Sequence, residues 1–282
     1  MDTEHIHRTV SRDGTEIAAR VSGDGPPVVL VHGAFGGADT TWISLLPFLT
    51  DRYTCYAMSL RGRAPSGSAD DHSRDRLVDD VVAVAESIGQ TVGVLGLSSG
   101  ALLALAAAER SDALGAVAAY EPPVFELLDG ELGAAFEDTV ARVTQAAADG
   151  RPADAAETFL RVVTNDDEFA AISEVGLVDA VVPNVDVQVR EFPQVIGAPP
   201  PSPTEPGELA KIAAPVLLLQ GTRSEPASWF PDGIRHCADH IRTARVTTID
   251  GAGHLGPILE PGAVAAELVD FFTDALQPAS TR

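Results

Sequence analysis

The sequence predicts an α/β fold: a mostly parallel eight-stranded sheet with helices on both faces and a helical segment inserted near the middle of the chain. Three observations carry that expectation. Apolar runs of strand length, among them Pro27-Val28-Val29-Leu30-Val31 and Pro215-Val216-Leu217-Leu218-Leu219, alternate with longer stretches of helical period. The stretch Val92-Gly93-Val94-Leu95-Gly96-Leu97-Ser98-Ser99-Gly100 passes from such a run through Gly-x-Ser-x-Gly into the helix formers Ala101 to Ala108. From Val124 to about Glu208 the strand signals stop and the pattern becomes helical and acidic. With 282 residues, 45% of them hydrophobic, the chain can bury a full core. The expected organisation is a core domain in two parts, residues 1–123 and 209–282, around a helical cap at 124–208.

In chain order, His5 to Ser11 and Thr15 to Val21 flank Asp13-Gly14, a hairpin signal. Pro27 to Val31 is continuously β-branched or apolar, as in a strand covered on both faces. It ends in His32-Gly33-Ala34-Phe35-Gly36-Gly37. A helix is expected near Thr41 to Leu49 and a strand from Tyr53 to Ser59. Asp75 to Ile88 places Leu77, Val81, Val84 and Ile88 on one helical face. The helix after Gly100 is apolar all round until Glu109, so it belongs in the centre of the domain. Leu114 to Tyr120 is a strand, closed by Glu121-Pro122-Pro123.

In the inserted segment, Leu128, Leu132, Phe136, Val140 and Val143 share one face, and Ala156, Phe159, Leu160 and Val163 another. Pro183, Pro193 and Pro199-Pro200-Pro201 are expected to break up the rest of the segment. The core resumes at Pro215 to Gly221, then a helix near Asp232 to His240, the strand Ala244 to Ile249 and a last helix from Ala263 to Leu276. Cys55 and Cys237 fall on a strand and a helix as ordinary buried thiols.

Gly-x-Ser-x-Gly between strand and helix lifts a hydroxyl off the sheet edge. The flanking glycines, Gly96 and Gly100, are needed because a β-carbon there would strike a neighbouring element. A serine hydroxyl is a poor nucleophile at neutral pH and needs a base. His254, in the glycine loop Asp250-Gly251-Ala252-Gly253 at the sheet's carboxyl edge, is the candidate. His5, His7, His72, His236 and His240 fall where exposure is expected, and His32 suits a structural hydrogen bond.

These motifs (His32-Gly33, Arg61-Gly62, the elbow at Ser98 and Gly253-His254, in that order) resemble those of the α/β-hydrolase superfamily over everything outside the inserted segment. The resemblance implies a nucleophile at Ser98, a base at His254, and an oxyanion hole from the N–H groups of Ser99 and Ala34, with Phe35 the alternative to Ala34. The family usually carries an aspartate just past the seventh strand; here that place holds Ser224. Glu121, at the end of the sixth strand, is the favoured acid, as in certain lactone hydrolases of the family, and Glu225 is the alternative.

Phe35, Phe125, Phe136, Phe159, Phe169 and Trp229 are the candidate substrate-binding residues. The resemblance implies a serine hydrolase of small carboxylic esters or lactones acting through an acyl-enzyme. A C–C bond hydrolase or lyase, and a non-catalytic ligand-binding protein of the same fold, are the other readings. No metal-ligand spacing or phosphate loop is present, so no cofactor is implied. The net charge of −22, with one lysine, disfavours nucleic acid and anionic membrane as partners and suits a protein kept soluble in high salt. With no basic, apolar leader at Met1-Asp2-Thr3-Glu4-His5, a cytoplasmic location is expected; the hydrolase resemblance implies a small-molecule substrate, and the sequence leaves monomer or homodimer open.

Overall fold

The computed structural model describes residues 5–276 except Pro226 and Ser228; the opening Met1 to Glu4 and residues 277–282, the outer ends of the two expected core parts, lie outside it. Eight strands form one sheet: β1 (His5–Val10), β2 (Glu16–Ser22), β3 (Pro27–Val31), β4 (Thr54–Ser59), β5 (Val92–Leu97), β6 (Leu114–Tyr120), β7 (Val216–Gly221) and β8 (Ala244–Ile249). Their order is β1-β2-β4-β3-β5-β6-β7-β8. β2 runs antiparallel to β1 and β4, and every pairing from β4 to β8 is parallel. The parallel strands therefore share one carboxyl edge, where the loops carrying Gly33, Ser98, Glu121 and His254 emerge.

Alternation along each strand feeds two cores. Val28, Leu30, Leu95, Ala118 and Leu217 face one side, and Val29, Val31, Val94, Val117 and Leu218 the other. The stretch expected to be one helix from Thr41 to Leu49 is two short ones, α1 (Ala38–Thr41) and α2 (Leu46–Leu49). Pro47 accounts for the break: it lacks an N–H and its ring would strike the carbonyl one turn back, so it is accommodated at least cost in the first turn of α2. α3 (Arg74–Ser87) and α4 (Ser99–Arg110) cover the second core, and Gly100 to Ala107 of α4 are all buried.

Between β6 and β7 the chain runs through α5 (Gly130–Ala148), α6 (Pro152–Val163), α7 (Asp166–Glu174), α8 (Leu177–Val181), α9 (Val185–Ile196) and α10 (Pro206–Leu209). The α6 face of Ala156, Phe159, Leu160 and Val163 is buried as its period predicts. Of the expected α5 face only Val143 is fully buried; Leu128 and Leu132 instead lie against Trp229 and Phe230. Pro193 does not break its helix, contrary to expectation. It sits inside α9, which continues to Ile196. Pro183 occupies a single 3₁₀ turn.

α11 (Trp229–His240) starts earlier than expected because Trp229 and Phe230 are themselves buried. α12 (Gly256–Leu259) and α13 (Pro261–Ala275) close the chain, α13 burying Val264, Leu268, Phe271 and Phe272 on the first core. Cys55 and Cys237 are free and buried, and burial pushes both thiols up to about 12. No helix among the described residues is long and apolar enough to cross a membrane.

Candidate active site

Ser98 occupies the turn between β5 and α4 with φ 55° and ψ −125°, a positive φ that a non-glycine residue adopts only when its surroundings impose it. Its N–H donates to the Tyr120 carbonyl at 2.9 Å, and its own carbonyl accepts the Ala101 N–H. The glycines do what the motif requires. A β-carbon on Gly96 would lie 2.3 Å from the Gly100 carbonyl oxygen, and one on Gly100 2.2 Å from the Val31 oxygen. The elbow is thus held down on β3 and α4 by backbone contacts that no other residue permits.

Glu121 follows β6, the strand paired with β5, in register Leu97 against Tyr120. It too has a positive φ, 46°, and is fully buried. Its Oε2 lies 2.7 Å from His254 Nδ1. Its Oε1 accepts the Gly221 N–H at 2.9 Å and the Ser224 hydroxyl. With Glu121 Oε2 as the acceptor, Nδ1 is the donor of this bond, and Nε2 is the ring nitrogen it leaves unused. Ser224, standing where the family's aspartate usually stands, is therefore a hydrogen-bond donor to Glu121, at the end of the neighbouring strand. Glu225, the alternative acid, is exposed, and His254 Nδ1 pairs with Glu121 instead.

The His254 loop is fixed from three sides. The Tyr120 hydroxyl donates to the Gly253 carbonyl at 2.7 Å, and the Phe230 ring stacks on the imidazole at 4.1 Å with 8° between planes. From the inserted segment, Glu168 of α7 accepts the Leu255 N–H at 2.9 Å. A β-carbon on Gly253 would fall 2.3 Å from the Glu168 carboxylate, so this glycine is a packing requirement. Burial raises the Glu168 carboxyl above the ordinary range, opposed by its bond to Leu255. Ser98 and His254 line one cavity; no hydrogen bond joins them among the described residues.

The oxyanion loop is held from the inserted segment as well. The Phe35 N–H donates to Gln188 Oε1 at 2.8 Å, so Phe35 is not the alternative oxyanion donor; its amide is already used. Asn184 Nδ2 donates to the Phe35 and Gly36 carbonyls, each at 3.0 Å. These three bonds straddle a residue whose φ is 61°. The Ala34 and Ser99 N–H groups have no intramolecular acceptor among the described residues, Ser99 because the first turn of a helix never supplies one.

Behind Gln188 lies a buried ionic cluster. Arg63 donates to Gln188 at 2.8 Å and to Glu191 at 2.8 Å. Burial would raise the Glu191 carboxyl, but the Arg63 charge overrides it and holds the group down at about 2. Burial, then the same arginine, lowers His32 to about 3. His32 bridges Leu60 N–H and Gly33 carbonyl, a structural role. His72, expected to be exposed, is fully buried 3.8 Å from Glu191, because α9 closes over its loop.

Of the expected substrate-binding residues, Phe35 lines one cavity at Ser98, and Phe125, Phe136 and Trp229 line a second; Phe159 lines both. Phe169 is misplaced. It lies under the Arg161 guanidinium, 3.7 Å from it, and lines neither cavity. The sequence carried no local mark of Gln188, Asn184 or Glu168, which act through contacts 87 to 153 residues away along the chain.

Residues 28–267 match the alpha/beta hydrolase family. A pimeloyl-[acyl-carrier protein] methyl ester esterase from Methylococcus capsulatus is 37% identical over 97 residues, 34% of this chain and 36% of the relative. A 2-hydroxy-6-oxo-6-(2'-aminophenyl)hexa-2,4-dienoic acid hydrolase from Metapseudomonas resinovorans is 29% identical over 80 residues, 27% and 28% of the two chains. The matched part thus spans about a third of these curated relatives. An alpha/beta hydrolase from Sphaerobacter thermophilus superposes with a TM-score of 0.74 at 29% identity, covering 94% of this chain and all of the other. The strand order, the turn at Ser98 and the match over residues 28–267 lead to one statement: this chain belongs to the alpha/beta hydrolase family.

Proposed function

We propose that the protein hydrolyses small carboxylic esters or lactones through an acyl-enzyme, with Ser98 as nucleophile, His254 as base and Glu121 as the acid that orients it. The observation that carries this reading is the 2.7 Å bond from His254 Nδ1 to a fully buried glutamate, beside a serine at φ 55° on the same cavity. In the first step the Ser98 Oγ bonds to the substrate carbonyl carbon and its proton passes to His254 Nε2. The carbonyl electron pair moves to oxygen, where the Ala34 and Ser99 N–H groups receive it. Collapse breaks the bond to the leaving oxygen, which takes the proton from His254. Water then repeats the sequence on the acyl-Ser98 and releases the carboxylic acid. The Ser98 and His254 side chains tighten onto one another only once substrate is bound.

A fluorophosphonate probe tests the assignment. It should label the folded protein, and Ser98→Ala should abolish labelling with the melting temperature unchanged. A folded wild-type protein that resists the probe would remove the hydrolase reading in favour of a ligand-binding one. Similarity to the dienoic acid hydrolase supports a second reaction on the same residues, C–C bond cleavage. Release of a carboxylic acid from a vinylogous 1,5-diketone, with p-nitrophenyl esters untouched, would favour it.

A further inference from the structure

The space around Ser98 is divided in two. One chamber is lined by Thr40, Thr41, Leu177, Val181, His254 and Ile258. The other is lined by Ser99, Phe125, Leu128, Phe136, Trp229 and Phe230. Ser98, Ala34, Phe159 and Val163 line both, so the chambers meet at the serine and α6 forms the partition.

Resting on the ester-hydrolase reading above, we infer that the aromatic chamber receives the acyl group and the His254 chamber the leaving alcohol, so that the preferred substrates are esters of arylalkanoic acids with short alcohols. The tetrahedral intermediate carries four groups on one carbon: the Ser98 oxygen, the oxyanion, the acyl carbon and the leaving oxygen. The leaving oxygen must lie where His254 can return a proton to it. His254 lines only the first chamber. Toward the second, its ring is covered face to face by Phe230. The alcohol therefore departs through the first chamber. Ser99, whose free N–H faces the oxyanion, lines only the second, which is left for the acyl chain.

The walls then state what each group looks like. In the acyl chamber Phe125 and Phe136 lie 6.2 Å apart, and Trp229 and Phe230 5.5 Å, spacings at which rings prefer to pack with further rings. Its polar groups, Gln188 and Glu191, are engaged by the Phe35 amide and Arg63 and leave no cation free to receive an acyl carboxylate. In the alcohol chamber Phe35 and Phe159 pack 5.0 Å apart, but apart from these and His254 the walls are aliphatic, with two threonine hydroxyls, so that chamber offers less ring surface than the six aromatic side chains lining the other.

The test uses two esters made of the same atoms, methyl 3-phenylpropanoate and 2-phenylethyl acetate, which differ in the side of the ester that bears the ring. The first should show a kcat/KM about tenfold or more above the second, the discrimination a hydrophobic pocket supplies. Leu128→Trp, which fills the acyl chamber, should lower that ratio about tenfold. A preference for 2-phenylethyl acetate, or equal rates, overturns the inference on the wild-type protein alone. So does a Leu128→Trp variant, folded by circular dichroism, that slows both esters equally. If the fluorophosphonate labels Ser98 but neither ester is cleaved, the chamber assignment falls and the serine hydrolase stands. If Ser98 does not label in folded protein, both fall.

Discussion

Glu121 is held by four partners at once: its own amide donates to the Leu219 carbonyl, Gly221 and Ser224 donate to Oε1, and His254 donates to Oε2. Donors on both carboxylate oxygens fix the side chain in place, with Oε2 turned to the imidazole. Glu121→Gln keeps the shape but turns an acceptor pair into one acceptor and one donor, which favours the wrong tautomer of His254. The expected result is a kcat lower by about two orders of magnitude or more, with KM changed little. Glu225→Gln, at an exposed position, should alter kcat less than twofold. Steady-state kinetics of the two variants on one p-nitrophenyl ester decide it; a silent Glu121→Gln would reverse the assignment.

Two elements of the inserted segment hold loops of the sheet domain: α9 and the turn before it reach the oxyanion loop, and α7 reaches the His254 loop. Asn184 is only half-buried, so its removal should spare the fold while freeing the Phe35 and Gly36 carbonyls. Asn184→Ala should lower kcat about tenfold, with KM within twofold, because a relaxed loop mis-aims the Ala34 N–H in the transition state more than in the ground state. Affinity for a boronic acid that mimics the tetrahedral intermediate should fall in parallel. A lower melting temperature with kcat unchanged would make the asparagine purely structural. This division explains what could be read in advance. The turn at Ser98 and the loop at His254 advertise themselves through glycines that sit beside them in the chain. The α7 and α9 contacts are made by side chains whose partners lie in other elements, and Glu168 also closes the capping box with Asn165 at the start of α7. Glu121 lies between these cases: its place at a strand end was visible, its bond to Ser224 was not.

At the scale of the molecule, 41 acidic residues against 19 basic ones make self-repulsion the dominant surface term. Salt shortens the screening length from about 10 Å at 0.1 M to about 3 Å at 1 M. The melting temperature should therefore rise by several degrees between about 0.05 and 2 M NaCl, measured by fluorescence; a flat or falling trend would rule out a salt-adapted surface. Acid acts in the opposite direction. Because burial and Arg63 hold His32 at about 3, the unfolded chain takes up a proton below about 6.5 that the folded one refuses. Stability from this group is complete above pH 6.5 and is lost as pH falls toward 3, by a few kcal/mol at most. Glu191, held at about 2, adds a second decline below about 4.5. Glu168, whose carboxyl is raised, has the contrary sign and loses its contribution as pH rises through its folded value. Urea titrations from pH 7 to 4 should show the decline, and His32→Gln should flatten its upper part.

With the carboxylate rooted at the end of β6, the last residue of β7 supplies it with a backbone amide and the segment beyond supplies the Ser224 hydroxyl. That stretch leads directly into Trp229 and Phe230. Changes of length or composition there can re-contour one wall of the binding space while the electronics of the imidazole stay anchored 100 residues upstream.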